Sequence, residues 1–216
     1  MTIEDVITSD AEVRRLLDES ARLSTSDPDH ARRLVLDARV LARAARNDAA
    51  ESEALYQLAL FAHRAGDSED AFSFASEAVA LATPAGHTVT LAWSHHLLAV
   101  VHYQASNFAA ALEQCLRSLE IYRATDHVVD EARILHTIAA IYQSMGDHDR
   151  AIVTYEQALA VNEPLTRSDI DAMVLGNLAR LLGRHGRPVD AIEIGQRALD
   201  VSREHAPALV GSVLAD

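Results

Sequence analysis

Histidine is the residue type in this chain whose clustering comes closest to a metal site. His95, His96 and His102 lie in one short stretch, and His136 follows downstream. On a helix, His95 and His102 stand two turns apart on one face, whereas two zinc ligands on one helix are more often four residues apart. No carboxylate accompanies them at ligand spacing. The pattern therefore predicts no metal site and leaves a pH effect of exposed imidazoles as the alternative.

Cys115 is the only cysteine of the chain, so it cannot form an internal disulfide. It lies at a packing position of a helix, and this predicts a buried, inert thiol. The sequence contains no Gly-rich phosphate loop, no Gly-x-Ser-x-Gly elbow and no Cys-x-x-Cys pair. We therefore expect no catalytic residue and no cofactor. The histidine cluster is the only feature in favour of an enzyme.

Composition and charge narrow the class of protein further. The chain of 216 residues is 49% hydrophobic but only 5% aromatic, which favours close-packed helices over a β-sandwich. A formal net charge of −13 opposes binding to nucleic acid. The acidic N-terminus has no apolar signal segment, and no apolar run approaches the ~20 residues that span a membrane. These features predict a cytoplasmic protein that binds neither nucleic acid nor membranes.

The histidines and Cys115 lie within a repeat of small residues that has a period of 40 residues. The repeat runs through four copies without a gap. The turn column consists of Gly66, Ser106, Gly146 and Gly186. Seven residues earlier stand Ala59, Ala99, Ala139 and Ala179. Five and twelve residues after the turn stand Ala71, Ala111, Ala151 and Ala191, then Ala78, Ser118, Ala158 and Ala198. A left-handed residue at the turn closes a helix, and the small columns let two helices cross at close range.

Each copy is therefore predicted to be a pair of helices, each of roughly 15 residues, joined by a tight turn. Asp67, Asn107 and Asp147 are the expected N-caps, and Pro84 and Pro164 mark longer links between the copies. We expect a single array over 1–216. Its predicted parts are a degenerate first repeat whose first helix starts near Asp10 (10–46), four full repeats (49–84, 88–125, 128–164 and 168–204), and the start of a truncated repeat (207–216).

These columns resemble the tetratricopeptide repeat family over nearly the whole chain. The segment LHTIAAIYQSMGDHDRAIVTYEQALAVNEP, residues 135–164, has the family's pattern of small residues. The 40-residue period exceeds the usual 34. It is similar to the longer variety in kinesin light chains and bacterial signalling proteins, as is LGNLARLLGRHGRPVDAIEIGQRAL, residues 175–199. The resemblance implies an all-α fold, a right-handed α-solenoid of antiparallel helix pairs.

The resemblance also implies that the first helix of each pair lines a concave groove, and that certain positions point inward. We mapped the family's inward-pointing positions onto this sequence one by one. The side chains then expected to bind a ligand are Tyr56, His63, Trp93, His96, Tyr103, Gln104, Arg133, His136, Gln143, Asn177, Arg180 and Arg184. With Arg64 included, this face carries four Arg against one Glu, Glu53. A groove rich in aromatic residues and Arg favours an extended or helical protein or peptide segment, in particular an acidic one.

The resemblance implies a specific role for Asn177. In the kinesin-light-chain-like variety, an Asn at this position holds the backbone of the ligand. The equivalent residues of the earlier repeats are Gln57, Leu97 and Thr137, so a complete Asn ladder is absent. Two other interpretations of the face remain open. Exposed Arg and His are ordinary on a solvated helix, and Trp93 is equally suited to fill a gap between repeats.

The resemblance implies a binding function and leaves its context open. One expectation is a sensor or interaction module at the N-terminus of a larger bacterial signalling protein, ahead of a diguanylate cyclase or a DNA-binding regulator domain. The other is a free-standing scaffold or co-chaperone-like adaptor. Leu209, Val210, Val213 and Leu214 have helical spacing, and this predicts that 207–216 begins a further repeat of a longer protein. The alternatives are that this segment caps the array, or that a homodimer partner covers its end.

Overall fold

A computed structural model describes residues 3–85, 88–165 and 168–205. Over these residues the chain forms ten α-helices and a short 3-10 turn at Glu163–Leu165, with no β-strand among them. This confirms the predicted all-α fold. The helices are α1 (Ile3–Leu23), α2 (Pro28–Ala45), α3 (Asp48–Arg64), α4 (Ser68–Ala85), α5 (Thr88–Gln104), α6 (Phe108–Ala124), α7 (Val128–Ser144), α8 (His148–Asn162), α9 (Ser168–Arg184) and α10 (Pro188–His205).

The turns between paired helices have one recurring hydrogen-bond pattern. After α3, the Gly66 amide donates to the His63 carbonyl at 3.0 Å and the Asp67 amide to the Ala62 carbonyl at 2.9 Å. This pair of bonds is a Schellman motif and requires a left-handed residue. Gly66 has φ 79°, and Ser106, which replaces glycine in the second copy, has φ 59°. The turn column of the sequence therefore has the conformation expected of it.

Two helix bounds differ from the sequence prediction. The helix α1 begins at Ile3 rather than near Asp10, and α4 includes Pro84, which the sequence assigned to a link, and ends at Ala85. Pro84 cannot donate a hydrogen bond to the carbonyl of Ala80, and its ring crowds that carbonyl. Ala80 is exposed, so water can satisfy that carbonyl. A proline in the last turn of a helix is therefore tolerated here.

The small columns lie where paired helices cross. Ala59, Ala99 and Ala139 have no exposed surface, and neither do their partners Ala71, Ala111 and Ala151. In the last pair, the equivalents Ala179 and Ala191 are half-buried. A Cβ atom built at Gly183 would lie 3.6 Å from the Cβ of Ala191, and one at Gly195 would lie 3.8 Å from that of Ala179. Such descending pairs of residue numbers show that α9 and α10 run antiparallel.

The helices divide into two compact units, Met1–Ile121 and Tyr122–Asp216. In the first unit, Val13, Leu16 and Leu17 of α1 form a core with Val35, Ala38 and Ala42 of α2 and with Ala54 and Leu58 of α3. In the second unit, Ile134, Ile138, Tyr155 and Ala158 are among the buried residues of α7 and α8. The expected repeat boundaries remain a prediction, and the segment 207–216 lies outside the described residues.

A polar contact joins the end of one pair to the start of the next, and it was not anticipated from the sequence. In the first unit, Arg43 Nε lies 2.8 Å from a carboxylate oxygen of the buried Glu51. In the second unit, Arg123 Nε lies 2.8 Å from Glu131. These two pairs stand two 40-residue periods apart. Asp171, one further period along, accepts a hydrogen bond of 2.8 Å from Asn162 instead. The signal was therefore present in the sequence as an acidic residue in the first turn of three of the four first helices, with Leu91 as the exception.

Candidate functional site

All twelve side chains of the predicted ligand-binding face lie on the first helices of the pairs. The helix α3 carries Tyr56 and His63; α5 carries Trp93, His96, Tyr103 and Gln104; α7 carries Arg133, His136 and Gln143; α9 carries Asn177, Arg180 and Arg184. None of them is fully buried: Gln104, Arg133, Arg180 and Arg184 are exposed and the others are half-buried. Because α3 and α5 lie in the first unit and α7 and α9 in the second, the face has two separate groups of residues.

In the first unit, the structure brings the aromatic residues of neighbouring pairs together. The rings of Tyr56 and Trp93 stack with centroids 5.6 Å apart and an interplanar angle of 26°. The ring of Tyr103 packs against Phe108, which follows the turn after α5, at 5.8 Å. Trp93 thus bridges two repeats and remains partly exposed. The gap-filling role and the ligand-binding role proposed for this residue are therefore compatible.

In the second unit, three side chains of the face form a hydrogen-bonded chain. Arg180 donates to Asn177 Oδ1 at 2.7 Å, and Asn177 Nδ2 lies 2.7 Å from His136 Nε2. The guanidinium has only donors, so the amide oxygen of Asn177 must face Arg180 and its NH₂ group must face the imidazole. His136 Nε2 therefore accepts, which places the proton of the neutral ring on Nδ1. The chain runs from an exposed cation to a half-buried neutral histidine.

The protonation state of His136 agrees with this arrangement. Burial lowers the pKa of His136 from 6.5 to about 4. Its ring also packs against Tyr155 of α8, with centroids 5.7 Å apart. A proton on Nε2 would point at the NH₂ group of Asn177 and break the hydrogen bond. The face thus presents His136 as a hydrogen-bond acceptor over the neutral pH range.

Arg133 lies beside a cavity of about 910 Å³ in the second unit. Both helices of the last pair line this cavity, and Met173, Gly176, Arg180, Ile192, Gly195 and Leu199 are among the lining residues. The guanidinium of Arg133 has a carboxylate oxygen of Asp130 and one of Asp169 at 3.7 Å each. The sequence predicts a single acidic residue, Glu53, on the face. Two carboxylates therefore reduce the positive charge expected at this position.

His95 and Cys115, which the sequence raised as candidate reactive side chains, are both buried. His95 is buried, its Nδ1 lies 2.7 Å from Gln114 Oε1, and burial lowers its pKa. It is therefore not one of the exposed, pH-sensitive imidazoles considered from the sequence. Cys115 is completely buried, and burial raises the pKa of its thiol to about 12. Among the described residues, no group of three or more His, Cys, Asp or Glu is arranged to hold a metal ion.

The antiparallel helix pairs identify the chain as a helical-repeat protein. Its first helices carry a surface of aromatic and polar side chains. The tetratricopeptide repeat family model matches residues 51–124 and 130–204. The chain therefore belongs to the tetratricopeptide repeat family. No helix among the described residues has the length and apolar character needed to cross a membrane.

The chain is similar to response regulator aspartate phosphatase H of Bacillus subtilis (strain 168), with 28% identity over 123 residues. The match covers 56% of this chain but only 32% of that relative. Among solved structures, a Rap protein complexed with competence and sporulation factor has a TM-score of 0.77 and 15% identity, covering 89% of this chain and 54% of that one. The kinesin light chain nearly identical TPR-like repeats of Podosopora anserina have a TM-score of 0.71 and 16% identity, covering 91% and 97%. At these identities the two structures show the fold alone.

Proposed function

We propose that this chain is a non-catalytic binding module that holds a protein or peptide segment along its first-helix face. The observation that carries the proposal is the chain from Arg180 through Asn177 to His136, which fixes the orientation of an amide on an accessible surface. An oriented amide and an adjacent guanidinium suit a peptide, which offers backbone carbonyls and acidic side chains. The complex of the structurally similar Rap protein with competence and sporulation factor is consistent with such a role.

In the first unit, the stacked rings of Tyr56 and Trp93 offer an apolar surface to such a segment. Aromatic residues that are partly exposed and held by a neighbour lose little conformational freedom when a ligand packs on them. Trp93 is also the only tryptophan of the chain, so its fluorescence reports on this part of the face. The proposed ligand is an extended or helical segment with apolar and acidic side chains.

Panning a random peptide library against the full chain tests the binding proposal. Enriched peptides should lose at least about tenfold in affinity when Tyr103→Ala and Arg180→Ala are combined, because about 1.4 kcal/mol corresponds to tenfold. The matched control combines Arg32→Ala and Arg197→Ala, which are exposed arginines of second helices. Circular dichroism shows whether both variants remain folded. Equal affinity in the first variant, together with a loss in the control, would move the site to another face.

The proposal extends to the biological context, a regulatory region of a larger bacterial signalling protein. Similarity to a response regulator phosphatase supports a role in signalling, and the candidate output domains are a diguanylate cyclase or a DNA-binding regulator. The reading frame beyond Asp216 is the test. A frame that continues into one of these domains supports the proposal. A frame that closes there leaves the free-standing scaffold or adaptor as the function.

A further inference from the structure

One position of the first helices carries a ring in every full repeat except the last. Its occupants, one 40-residue period apart, are Tyr56, His96, His136 and then Gly176. A position of the second helices changes in the same way at the same repeat, because Tyr155 is followed one period later by Gly195. The rings of His136 and Tyr155 pack together with centroids 5.7 Å apart. The last pair therefore lacks two rings that pack against each other in the pair before it.

The two glycines lie at the cavity of about 910 Å³ in the second unit, and both line it. A Cβ atom at Gly176 would meet nothing within 4 Å, and one at Gly195 would meet the Cβ of Ala179 at 3.8 Å. Ile170 and Ala198 also line the cavity, and they are 1% and 0% exposed. The cavity thus reaches residues that the folded pair itself buries. It is a recess of the pair, with room where the preceding pair holds two rings.

We propose that this cavity binds a small aromatic carboxylate, whose flat ring system takes the place of the two missing rings. The volume suits a small molecule, because cavities of about 300–1,000 Å³ enclose ligands of that size. Met173, Ile192 and Leu199 supply apolar walls. The thioether of a methionine is flexible and packs favourably on aromatic rings.

The charged residues of the lining favour an anionic group on the ligand. They are Arg133, Arg180 and Asp169, two cations against one carboxylate. Arg180 donates to Asn177 Oδ1 at 2.7 Å, and both residues line the cavity. A guanidinium has five N–H donors, so Arg180 can hold Asn177 and a carboxylate at the same time. An aromatic ring that bears a carboxylate therefore matches both the apolar and the charged part of the lining.

The cavity ligand is distinct from the peptide of the proposed function and does not require it. The two sites share Asn177 and Arg180, whereas Gly176 and Gly195 belong to the cavity. A side chain of a bound peptide is the competing occupant. A variant that changes only the two glycines separates these occupants, because it leaves the hydrogen-bonded chain of the face in place.

Isothermal titration calorimetry of the full chain with naphthoate tests the proposal. A ligand of this size should bind with a Kd on the order of 0.1 mM. Gly176→His combined with Gly195→Tyr gives the last pair the two rings of the preceding one. This double variant should bind naphthoate at least about tenfold more weakly, because its side chains fill the cavity. The matched control is Gly183→Ala, a glycine of α9 outside the lining, which should bind as the wild type does.

Two comparison ligands test the chemical class. Octanoate has the carboxylate but no ring, and naphthylmethylamine has the rings but a positive charge. Each should bind at least about tenfold more weakly than naphthoate. Octanoate binding as tightly as naphthoate would overturn the aromatic part of the proposal. Equal binding of the amine would overturn the anionic part.

Circular dichroism checks the fold of the variants, and replacing a glycine inside a helix should not lower helix content. If the double variant unfolds, the single Gly176→His takes its place, since its Cβ atom meets no atom within 4 Å. Absence of naphthoate binding to the wild type, or equal binding to the filled variant, would overturn the proposal. Peptides selected on the first-helix face should bind the filled variant and the wild type equally. Their loss would assign the cavity to a peptide side chain and also overturn it.

Discussion

At the scale of single residues, His136 links the chemistry of the face to stability. In the folded chain the ring is neutral and accepts from Asn177, with a pKa of about 4 instead of 6.5. The unfolded chain takes up a proton as the pH falls below about 6.5, whereas the folded chain resists this until about pH 4. The contribution of neutral His136 is therefore fully present above the ordinary pKa and is lost progressively as the pH falls through this window.

We accordingly expect His136→Gln to reduce the acid sensitivity of folding. Between about pH 7.5 and about pH 5, the wild type should lose about 2 kcal/mol more of its free energy of unfolding than the variant. Urea midpoints at the two pH values measure the difference. His30→Gln, at the start of α2, is the control for the loss of a histidine side chain. The same pH dependence in all three proteins would show that His136 titrates normally in the fold.

Cys115 gives a second prediction at this scale. The thiolate is the reactive form, and a buried thiol with its pKa raised to about 12 is protonated at neutral pH. Iodoacetamide at neutral pH should therefore leave the native chain unmodified and label it fully in denaturant. Mass spectrometry reads the result directly. Rapid labelling of the native chain would mean that α6 opens easily at this position.

At the scale of the helices, the small columns set how closely a pair can pack. Ala139 has no exposed surface, because it lies where α7 crosses α8. Ala139→Leu should overpack this crossing and lower the free energy of unfolding by ~1–3 kcal/mol. Ala160→Leu is the matched control, since Ala160 is an exposed residue of α8. Urea denaturation of both variants tests the column, and equal midpoints would mean that helix packing does not depend on it.

The polar contact between successive helix pairs also contributes to stability at this scale. Glu51 is buried on α3 and receives Arg43 at 2.8 Å, with Arg39 at 3.6 Å. Glu51→Gln should cost about 1–2 kcal/mol, because it removes a charge-assisted contact from a site with little water. Glu113→Gln is the control. Its pair with Arg117 is exposed and should contribute less than about 0.5 kcal/mol. A urea midpoint as high for Glu51→Gln as for Glu113→Gln would contradict this account.

At the scale of the whole molecule, charge decides which partners can approach. A net charge of −13 repels phosphate backbones, and the arginines near the cavity are partly neutralised by carboxylates such as Asp130 and Asp169. We expect no electrophoretic shift of duplex DNA, even at about 50 mM salt, where counterion release favours binding most. A shift that disappears with added salt would reveal a basic patch that neither the sequence nor the structure indicates.

The sequence by itself determined the fold of this protein. The columns at Gly66, Ala71 and Ala78 and at their equivalents one period apart specify turns and crossings through local conformation and side-chain size. Both properties belong to a residue type and repeat with the chain. The buried thiol of Cys115 followed from the same register. The positions of the twelve predicted face residues on the first helices followed from the resemblance to the family.

The tertiary structure decided which of these side chains touch. The stack of Tyr56 on Trp93, the hydrogen bonds of Asn177 and the carboxylates beside Arg133 each join residues of different helices. The repeat pattern specifies which positions face each other, but the contact itself depends on rotamers and distances that vary from copy to copy. The pKa of His136 is likewise set by burial among three helices. Only the folded chain defines that environment, and this is why the type and spacing of the histidines did not reveal it.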